Sequence, residues 1–157
     1  MKKITLTQNQ VALVDNSDFE ELNKYKWFAN KLGNTFYAVR TSKKDSEGKT
    51  KTILMHRVIM SNPEGFDVDH IDSNGLNNQK KNLRVCTHSE NTRNRGVQKN
   101  STSKLKGVTW NKTGKKWQSQ IKVEGKYIYL GIFEDKIEAY EAYCKACVKY
   151  HGDYHKL

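Results

Sequence analysis

A stretch with almost no large apolar side chains divides this chain and limits the core that either part can build. Residues 96–104 read GVQKNSTSK, a glycine-, serine-, asparagine- and lysine-rich composition that is typical of linkers. Strand and helix patterns occur on both sides of it, so the 157 residues are best explained as two small units. We predict one domain at 1–95 and a second at 106–157, joined by a linker at 96–105.

Positive charge is concentrated in one block. The formal net charge is +11, yet residues 1–78 carry 11 Lys/Arg against 10 Asp/Glu and residues 127–157 carry 4 against 5. Residues 79–126 carry 13 against 2, a net of +11. Such a block indicates a polyanion partner, because Lys and Arg release the counterions condensed on phosphates. A solvated basic face is the alternative, and a membrane surface is disfavoured because the block lacks a long amphipathic helix with large apolar residues.

The sequence also bears on location and on metal chemistry. No run of 18 apolar residues occurs, and the start MKKITLTQNQ lacks the apolar core of a signal peptide, so we expect a cytoplasmic protein whose cysteines are reduced thiols. Zinc is not expected, because Cys144, Cys147 and His151 fall on one face of a single predicted helix and His155 lies beyond it. One straight helix cannot easily wrap four ligands around an ion.

The first 60 residues alternate apolar and polar side chains. This alternation predicts short strands at KITL, QVALVD, FYAVRT and KTILMH. Between them, Ser17 precedes Glu20 by three residues, a capping-box spacing that predicts a short helix in SDFEELNKYKW. Residues 43–50 form a polar hairpin loop. The aromatic residues that we expect in the core are Trp27, Phe28, Phe36 and Tyr37.

The segment VDHIDSNGLNNQKKNLRVCTHSEN, residues 68–91, combines acids, a histidine and asparagines with few core-forming side chains. Asp69 and Asn91 offer the oxygen ligands that a hard divalent cation prefers, and a neutral His70 is a suitable base near pH 7. Neighbouring strand residues point to opposite faces, so Asp69 and His70 can share a site where the strand ends and turns. Thr87, three residues before Glu90, predicts a helix from about 88 to 95. A surface loop rich in Asx turns is the competing interpretation.

A resemblance favours the site. The D-H pair, the N-L-R segment and the helical asparagine resemble the signature of HNH endonucleases of the homing type, as does LMHRVIM at 54–60. The resemblance implies an HNH core at about 54–95: two antiparallel strands and a helix around one Mg²⁺ or Mn²⁺ ion. By position, it makes Asp69 and Asn91 metal ligands, His70 the general base and Asn82 the residue that orients His70 through its backbone. The remaining asparagines and Asp72 are assigned to the turn.

From residue 106 onward the pattern predicts three strands, GVTW, KWQSQIKV and KYIYLGIF, followed by the helix KIEAYEAYCKACVKYH. KGVTW, KKWQSQI, LGIF and EAYEAY resemble the ethylene-response-factor (APETALA-type) DNA-binding domain. The resemblance implies a three-stranded antiparallel sheet in the major groove with one helix behind it. Several family arginines that contact bases correspond here to Thr109, Asn111 and Tyr127, so the family's sequence preference does not transfer.

Candidate DNA contacts follow from strand alternation and from the basic block. In the sheet, Trp117 shares a face with Ser119, opposite the glutamines, and we expect at least one of Trp110 and Trp117 to serve sheet packing. The groove-side candidates are Thr109, Asn111, Lys116, Gln118, Gln120, Lys122 and Tyr129. Further candidates for DNA contact, to bases or to phosphates, are Arg84, Arg93 and Arg95. His56 and Arg57 complete the set, and these two either support the core or touch a phosphate.

The sequence thus predicts an α+β protein: a small N-terminal sheet with an HNH core, then the DNA-binding sheet packed on one helix. The predicted function is metal-dependent cleavage of duplex DNA. We expect a monomer, with a dimer on DNA as the alternative. The resemblance implies a phage or mobile-element setting in a bacterial or phage-infected cell. A non-catalytic DNA-binding regulator on the same scaffold is the alternative, and RNA binding is a third reading, because basic patches do not distinguish the two polymers.

Overall fold

The computed structural model describes residues 1–94, 96–97 and 100–152. Helices and small antiparallel sheets alternate along the chain, which confirms the predicted α+β class. By their internal contacts the residues group into two compact units, Met1–His88 and Ser89–Leu157.

The strands of the first unit pair antiparallel in small sheets. They are β1 (Lys2–Thr5) with β2 (Val11–Val14); β3 (Phe28–Leu32), β4 (Thr35–Thr41) and β5 (Thr52–Leu54), with β4 central; and β6 (Asp67–His70) with β7 (Leu83–Cys86). The helices are α1 (Asn16–Asn23) and α2 (Met55–Ile59), with a 3-10 turn at Lys80–Asn82. Helix α3 (His88–Arg93) begins at the last residue of this unit.

The core of the first unit lies between its first five strands, α1 and α2. Its buried members are Ile4, Leu6, Ala12, Val14, Leu22, Trp27, Ala29, Ala38 and Met55. Strand alternation explains the selection, since in β2 the side chains of Ala12 and Val14 are buried while Val11 is exposed and Leu13 half-buried. The Trp27 indole N–H donates to the carbonyl of Leu22 at 2.7 Å, which satisfies its polar atom inside the core.

Helix α1 starts two residues earlier than the capping box predicted. Asp15 is the N-cap residue, but its side chain makes no cap bond, because its carboxylate instead accepts from the backbone N–H of Lys80 at 2.8 Å and from Gln79 at 3.3 Å. Ser17 lies inside the helix, so the Ser17–Glu20 box was wrong. The Asp15 carboxylate therefore does not cap α1. It anchors residues 79–80, which follow the D-H pair in the chain.

Two further predictions in the first unit were wrong. The strand predicted at KTILMH ends at Leu54, and the buried side chains of Met55 and His56 belong to α2. Phe28 is 37% exposed, because it alternates in β3 with Ala29, which takes the core-facing position. Strand β3 itself was not predicted, since its sequence FANKL has little β-branched character.

The second unit contains the predicted three strands and helix. Strands β8 (Val108–Asn111), β9 (Lys116–Val123) and β10 (Lys126–Phe133) form an antiparallel sheet with β9 in the centre. Helix α4 (Lys136–His151) packs on it through a core of Ile121, Tyr143, Ala146 and Cys147. The Asp135 carboxylate caps α4 by accepting from the N–H groups of Ile137 and Glu138 at 2.6 and 3.3 Å.

Gly107 allows the sheet and α4 to approach closely. Its φ is +74°, and a Cβ there would overlap the ring of Tyr143.

Trp110 and Trp117 lie opposite each other across β8 and β9, with ring centroids 4.9 Å apart in an edge-to-face arrangement. Their contact confirms sheet packing as a role for these tryptophans.

Helix α3 ends at Arg93, two residues before the predicted end, and Arg95 lies outside the described residues. Over the part of the chain that the structure covers, no helix has the length and apolar character needed to cross a bilayer.

Candidate active site and nucleic-acid interface

The D-H pair closes strand β6, as predicted. Asp69 pairs with Arg84 and His70 with Leu83 on β7, and both Asp69 and His70 are buried. The chain turns directly after His70, where the N–H of Ser73 donates to the His70 carbonyl at 2.8 Å. Because the strand ends here, two adjacent side chains are buried in one region despite the alternation of a strand.

Asp69 forms an ion pair with Arg84. The Nε and Nη2 atoms of Arg84 both donate to Oδ2 of Asp69, at 3.0 and 2.8 Å, and both side chains are largely buried. The structure thus gives Arg84, a candidate for DNA contact, a defined partner inside the protein. Its guanidinium holds the Asp69 carboxylate in place on the strand pair.

His70 lies in a cluster of rings and amides. Its ring centroid is 4.9 Å from that of His56 and 5.8 Å from that of Tyr37, and its Nε2 is 3.3 Å from Oδ1 of Asn78. Burial lowers the pKa of His70, although Asn78 and the charges of Asp72 and Asp69 act in the opposite direction. The ring is therefore neutral near pH 7, the form that can accept a proton.

Asn78 is the residue of this cluster that sequence reasoning missed. It was assigned to the turn, but its side chain is fully buried against His70. Since an amide oxygen can only accept, Nε2 of His70 carries the hydrogen and Nδ1 keeps its lone pair. Asn78 is one of several asparagines in a turn-rich segment, and no local pattern separates it from the others.

The rings of His56 and Tyr37 pack against the ring of His70. Nδ1 of His56 is buried and finds no hydrogen-bond partner among the described residues. Its pKa is lowered to about 3, mainly by burial and then by the proximity of His70 and Arg57. Arg57 donates to the carbonyls of Phe66 at 2.9 Å and Pro63 at 2.7 Å. His56 thus packs against His70, and Arg57 holds the segment from Pro63 to Phe66. A phosphate contact by either residue stays a prediction.

Asn82 fixes the backbone that follows His70. Its Oδ1 accepts from the N–H of Asp72 at 3.1 Å, and its Nδ2 donates to Asp72 Oδ1 at 3.0 Å and to the Asn77 carbonyl at 2.8 Å. Its own carbonyl accepts from the N–H of Ile71 at 2.9 Å. These bonds act on the backbone one and two residues after His70, and the orienting role of Asn82 stays a prediction.

Asp72 organises the turn, as the sequence predicted. Besides Asn82, it accepts from the N–H of Asn74 and from the side chain of Asn77, both at 2.8 Å. Partial burial raises its pKa, but the bonds from Asn77, Asn74 and Asn82 outweigh burial and leave the pKa below its usual value. The turn therefore holds a carboxylate in its charged form.

Other parts of the first unit also hold this loop. The carbonyl of Leu76 accepts from the N–H of Leu13, and the N–H of Asn78 donates to the Leu13 carbonyl, both at 2.8 Å. The N–H of Gly75 donates to Oγ1 of Thr35 at 3.1 Å. Strands β2 and β4 and the Asp15 carboxylate thus place Asn78 beside His70.

Two further predicted site residues, Asn91 and Arg93, lie in helix α3. Asn91 is half-buried within this helix and belongs to the second unit. Arg93 is also half-buried, and its carbonyl accepts from Nζ of Lys106. The metal role of Asn91 and the DNA contact of Arg93 stay predictions.

The groove-side candidates lie on the sheet face opposite α4. Ser119 and Ile121 are buried on the α4 side, and alternation turns Gln118, Gln120 and Lys122 to the other face. Strand register places the other predicted residues on the same face: Thr109, Asn111, Lys116 and Tyr129. It also places Tyr127 and Ile132 there. Ile132 was missed because its side depends on the β-bulge between Tyr129 and Gly131.

Two members of this set have partners within the protein. Asn111 Oδ1 accepts from the N–H of Gly114 at 2.9 Å, and Lys116 Nζ forms an ion pair with Glu134 at 2.7 Å. Lys122 Nζ lies 5.5 Å from the ring centroid of Tyr127. The glutamines at the centre of β9 contact each other at 3.4 Å.

The residues considered for zinc have other surroundings. Cys144 and Cys147 are free thiols, as is Cys86. Nε2 of His151 lies 3.0 Å from the carbonyl oxygen of Lys122, and His155 lies outside the described residues. Across the described ranges, no three His, Cys, Asp or Glu side chains form a group suited to a metal ion.

The donor chemistry at Asp69 suits a hard divalent cation. Its carboxylate oxygens are the ligand type that Mg²⁺ and Mn²⁺ prefer, and it sits beside a histidine that is neutral near pH 7. The Arg84 guanidinium at the same carboxylate compensates its charge in the absence of a cation. Asp69 therefore fits one position of a mixed protein, water and phosphate ligand set.

Comparison with known proteins indicates a nuclease-related segment. Residues 54–93 match the family model described as HNH endonuclease. A stretch of 64 residues is 42% identical to Protein 3.8 of Escherichia phage T7, covering 41% of this chain and 53% of that protein. A longer stretch of 99 residues is 34% identical to a mimivirus protein described as uncharacterized HNH endonuclease L560, covering 62% of this chain and 48% of that protein.

A plant protein matches as well. A stretch of 53 residues is 40% identical to APETALA2-like protein 2 of Oryza sativa subsp. indica, covering 32% of this chain and 12% of the rice protein. The chain therefore spans about half the length of the viral relatives and a small part of the plant relative.

Proposed function

We propose that this chain is a metal-dependent endonuclease of the HNH homing type that hydrolyses phosphodiester bonds in duplex DNA. The observation that carries the proposal is a buried, neutral His70 whose Nε2 meets the Asn78 amide, next to Asp69 at the end of β6. This pair lies inside the segment that matches the HNH endonuclease model.

His70 acts as the general base in this mechanism. Nδ1 of His70 takes a proton from a water molecule, whose oxygen attacks phosphorus in line while the bond from phosphorus to the 3′ oxygen breaks. Asn78 holds the ring by its Nε2, and Asn82 holds the backbone beyond it. The rings of Tyr37 and His56 pack against the His70 ring, with centroids 5.8 and 4.9 Å from its own.

Asp69 and Asn91 hold the divalent ion, Mg²⁺ or Mn²⁺, in this proposal. When bound, the ion stabilises negative charge on the phosphate and on the leaving 3′ oxygen. One ion suffices, since a neutral histidine generates the nucleophile. Arg84 keeps the Asp69 carboxylate oriented through its two bonds to Oδ2.

The C-terminal sheet serves as the DNA-reading element. Its similarity in sequence to the APETALA-type domain is supported by the rice relative. Its open face carries polar and aromatic side chains, and strands β8 and β9 of that face lie in the basic block 79–126. The phage and mimivirus relatives support action on DNA in an infected host cell. We expect a monomer that nicks one strand, with double-strand cutting if two copies meet on DNA.

The test is nicking of supercoiled plasmid with and without Mg²⁺. His70→Ala is expected to abolish nicking while binding to duplex DNA survives. His88→Gln is the matched control, because His88 is exposed and glutamine can keep the contact to Asp67; it is expected to nick normally. Full activity of His70→Ala would refute the catalytic assignment, and binding without cleavage in the wild type would establish a non-catalytic DNA-binding protein instead.

A further inference from the structure

We infer that the open face of the C-terminal sheet selects A·T base pairs in the major groove, with Gln118 and Gln120 as the base-reading side chains. This inference rests on the proposed function, because it takes duplex DNA as the ligand of that face. It goes further by naming the base pairs and the side chains that distinguish them.

Strand register arranges the face in rows. Gln118 on β9 pairs with Thr109 on β8 and with Ile132 on β10. The next row outward places Gln120 opposite Tyr129. The glutamines are half-buried, whereas Thr109, Ile132 and Tyr129 are exposed. Amide groups thus form the centre of the face, and methyl-bearing or aromatic groups flank them.

The amide side chains match adenine. A glutamine amide presents one donor and one acceptor, which complement N7 and the N6 amino group of adenine in the major groove. Thymine, the partner of adenine, displays a C5 methyl group that favours apolar neighbours. The row of Thr109, Gln118 and Ile132 therefore offers an adenine reader with methyl groups on both sides.

Guanine is a poor match for the same surface. Its N7 and O6 are both acceptors, and proteins usually meet them with the forked donors of arginine or with lysine. Residues 96–157 contain no arginine. Lys116 at one end of the face is ion-paired with Glu134, and Lys122 at the other end lies over the Tyr127 ring. The positions between them carry amides rather than paired donors.

Asn111 is excluded as a second adenine reader by its own contact. Its Oδ1 accepts from the N–H of Gly114 at 2.9 Å, so its amide caps the turn between β8 and β9. The glutamines differ, because Nε2 of Gln118 donates to Oε1 of Gln120 at 3.4 Å, a weak bond that a contact to a base can replace.

The test measures binding of the full chain to fluorescent duplexes of equal length whose central segments are A·T-rich or G·C-rich. Anisotropy is recorded at fixed salt in EDTA, so that the DNA is not cut. We expect the A·T-rich duplexes to bind about tenfold more tightly, and Gln118→Ala and Gln120→Ala each to remove about tenfold of affinity for them, as for a lost bidentate base contact. Affinity for the G·C-rich duplexes should stay nearly constant in both variants.

Two further variants guard against a merely structural effect. Gln118→Glu keeps the size of the side chain but loses its donor, so it should lose the A·T preference as Gln118→Ala does. Gln118→Arg supplies two donors and should raise affinity for the G·C-rich duplexes. Lys122→Gln is the contrast, since loss of a phosphate contact should weaken binding to both sets equally and reduce the salt slope by about 1.

The outcomes separate the inference from the proposed function. Equal binding of the two duplex sets, or equal weakening of both by the glutamine variants, would overturn the A·T assignment while leaving DNA binding and plasmid nicking intact. Tighter binding of an RNA duplex than of either DNA set would overturn it by identifying another polymer. Absence of any duplex binding by the wild type would overturn the DNA-reading role of the sheet together with the inference.

Discussion

Nε2 of His70 lies 3.3 Å from Oδ1 of Asn78, and the two side chains are 4% and 0% exposed. Because the amide oxygen of Asn78 faces the ring and can only accept, this buried contact favours the tautomer with hydrogen on Nε2. Nδ1 is therefore the nitrogen on which the proposed proton transfer depends. The arrangement makes Asn78 a positioning residue for the base.

The first prediction replaces the amide at position 78. Asn78→Leu has a similar volume but no acceptor, so the His70 ring should populate both tautomers and the rate of plasmid nicking should fall by at least about tenfold, part of what a general base contributes. Nitrogen-15 spectra of the imidazole should show hydrogen at Nε2 in the wild type and a mixture in Asn78→Leu.

Asn78→Asp supplies the matched rescue, since a carboxylate retains the accepting oxygen. It should restore the Nε2–H form that Asn78→Leu loses. The same mixture of tautomers in the wild type and in Asn78→Leu would show that Asn78 does not orient the base.

The second prediction concerns stability at acid pH. The pKa of His56 falls from 6.5 to about 3 in the folded protein, mainly through burial. The unfolded chain therefore binds this proton at higher pH than the folded chain, so stability is full above about pH 6.5 and declines progressively toward pH 3. By pH 5 the loss from His56 alone is about 2 kcal/mol.

Urea unfolding in metal-free buffer across this range provides the measurement. His56→Phe keeps a ring beside His70 but cannot titrate, so its free energy of unfolding should fall less steeply between pH 6.5 and 4. Part of the slope should remain, because the pKa of His70 is also lowered by burial. An unchanged slope in His56→Phe would contradict the assigned cause.

Local sequence pattern was sufficient for much of the fold. Alternation predicted β8, β9 and β10, and helical periodicity predicted α4 within its observed bounds. It failed where tertiary contacts decide, as in the assignment of Met55 to a strand when burial in the core favours α2. The Ser17 cap failed for a related reason, since the Asp15 carboxylate is bound by a segment 65 residues away.

The candidate site shows the same division. The end of a strand at Asp69 and His70 was predicted, because turn chemistry follows directly in the sequence. The position of Asn78 was not, since it depends on backbone bonds to Leu13 and on the packing of Gly75 against β4. The ion pair of Asp69 with Arg84 depends on the register of β6 and β7, which a sequence pattern does not specify.

The third prediction separates a structural Arg84 from one that contacts DNA. Arg84→Met removes the guanidinium that donates twice to Asp69 and leaves that carboxylate largely buried, so the free energy of unfolding should fall by about 3 kcal/mol. Adding Asp69→Asn should recover part of this loss, because the carboxylate charge that Arg84 neutralised is then removed. Chemical denaturation of the two single variants and the double variant gives the coupling energy.

Lys49→Met is the control for this cycle. Lys49 forms an exposed ion pair with Glu47, and its loss should cost less than about 1 kcal/mol. If Arg84→Met instead retained full stability and weakened DNA binding, the original prediction of a DNA contact would stand in place of the structural role.

The fourth prediction tests whether the loop after His70 must pack against β4. A Cβ at Gly75 would lie 2.8 Å from Cδ1 and Cε1 of the Tyr37 ring and would overlap the carbonyl oxygen of Phe36. Because backbone cannot yield as a flexible side chain does, Gly75→Ala should displace the loop and cost about 1–3 kcal/mol of stability. The displacement should also withdraw Asn78 from His70 and slow plasmid nicking by more than the unfolded fraction explains. Gly96→Ala is the matched control, since among the described residues a Cβ there meets nothing within 4 Å, and the change should leave both quantities unaltered. Normal nicking by folded Gly75→Ala would show that the base does not depend on this packing.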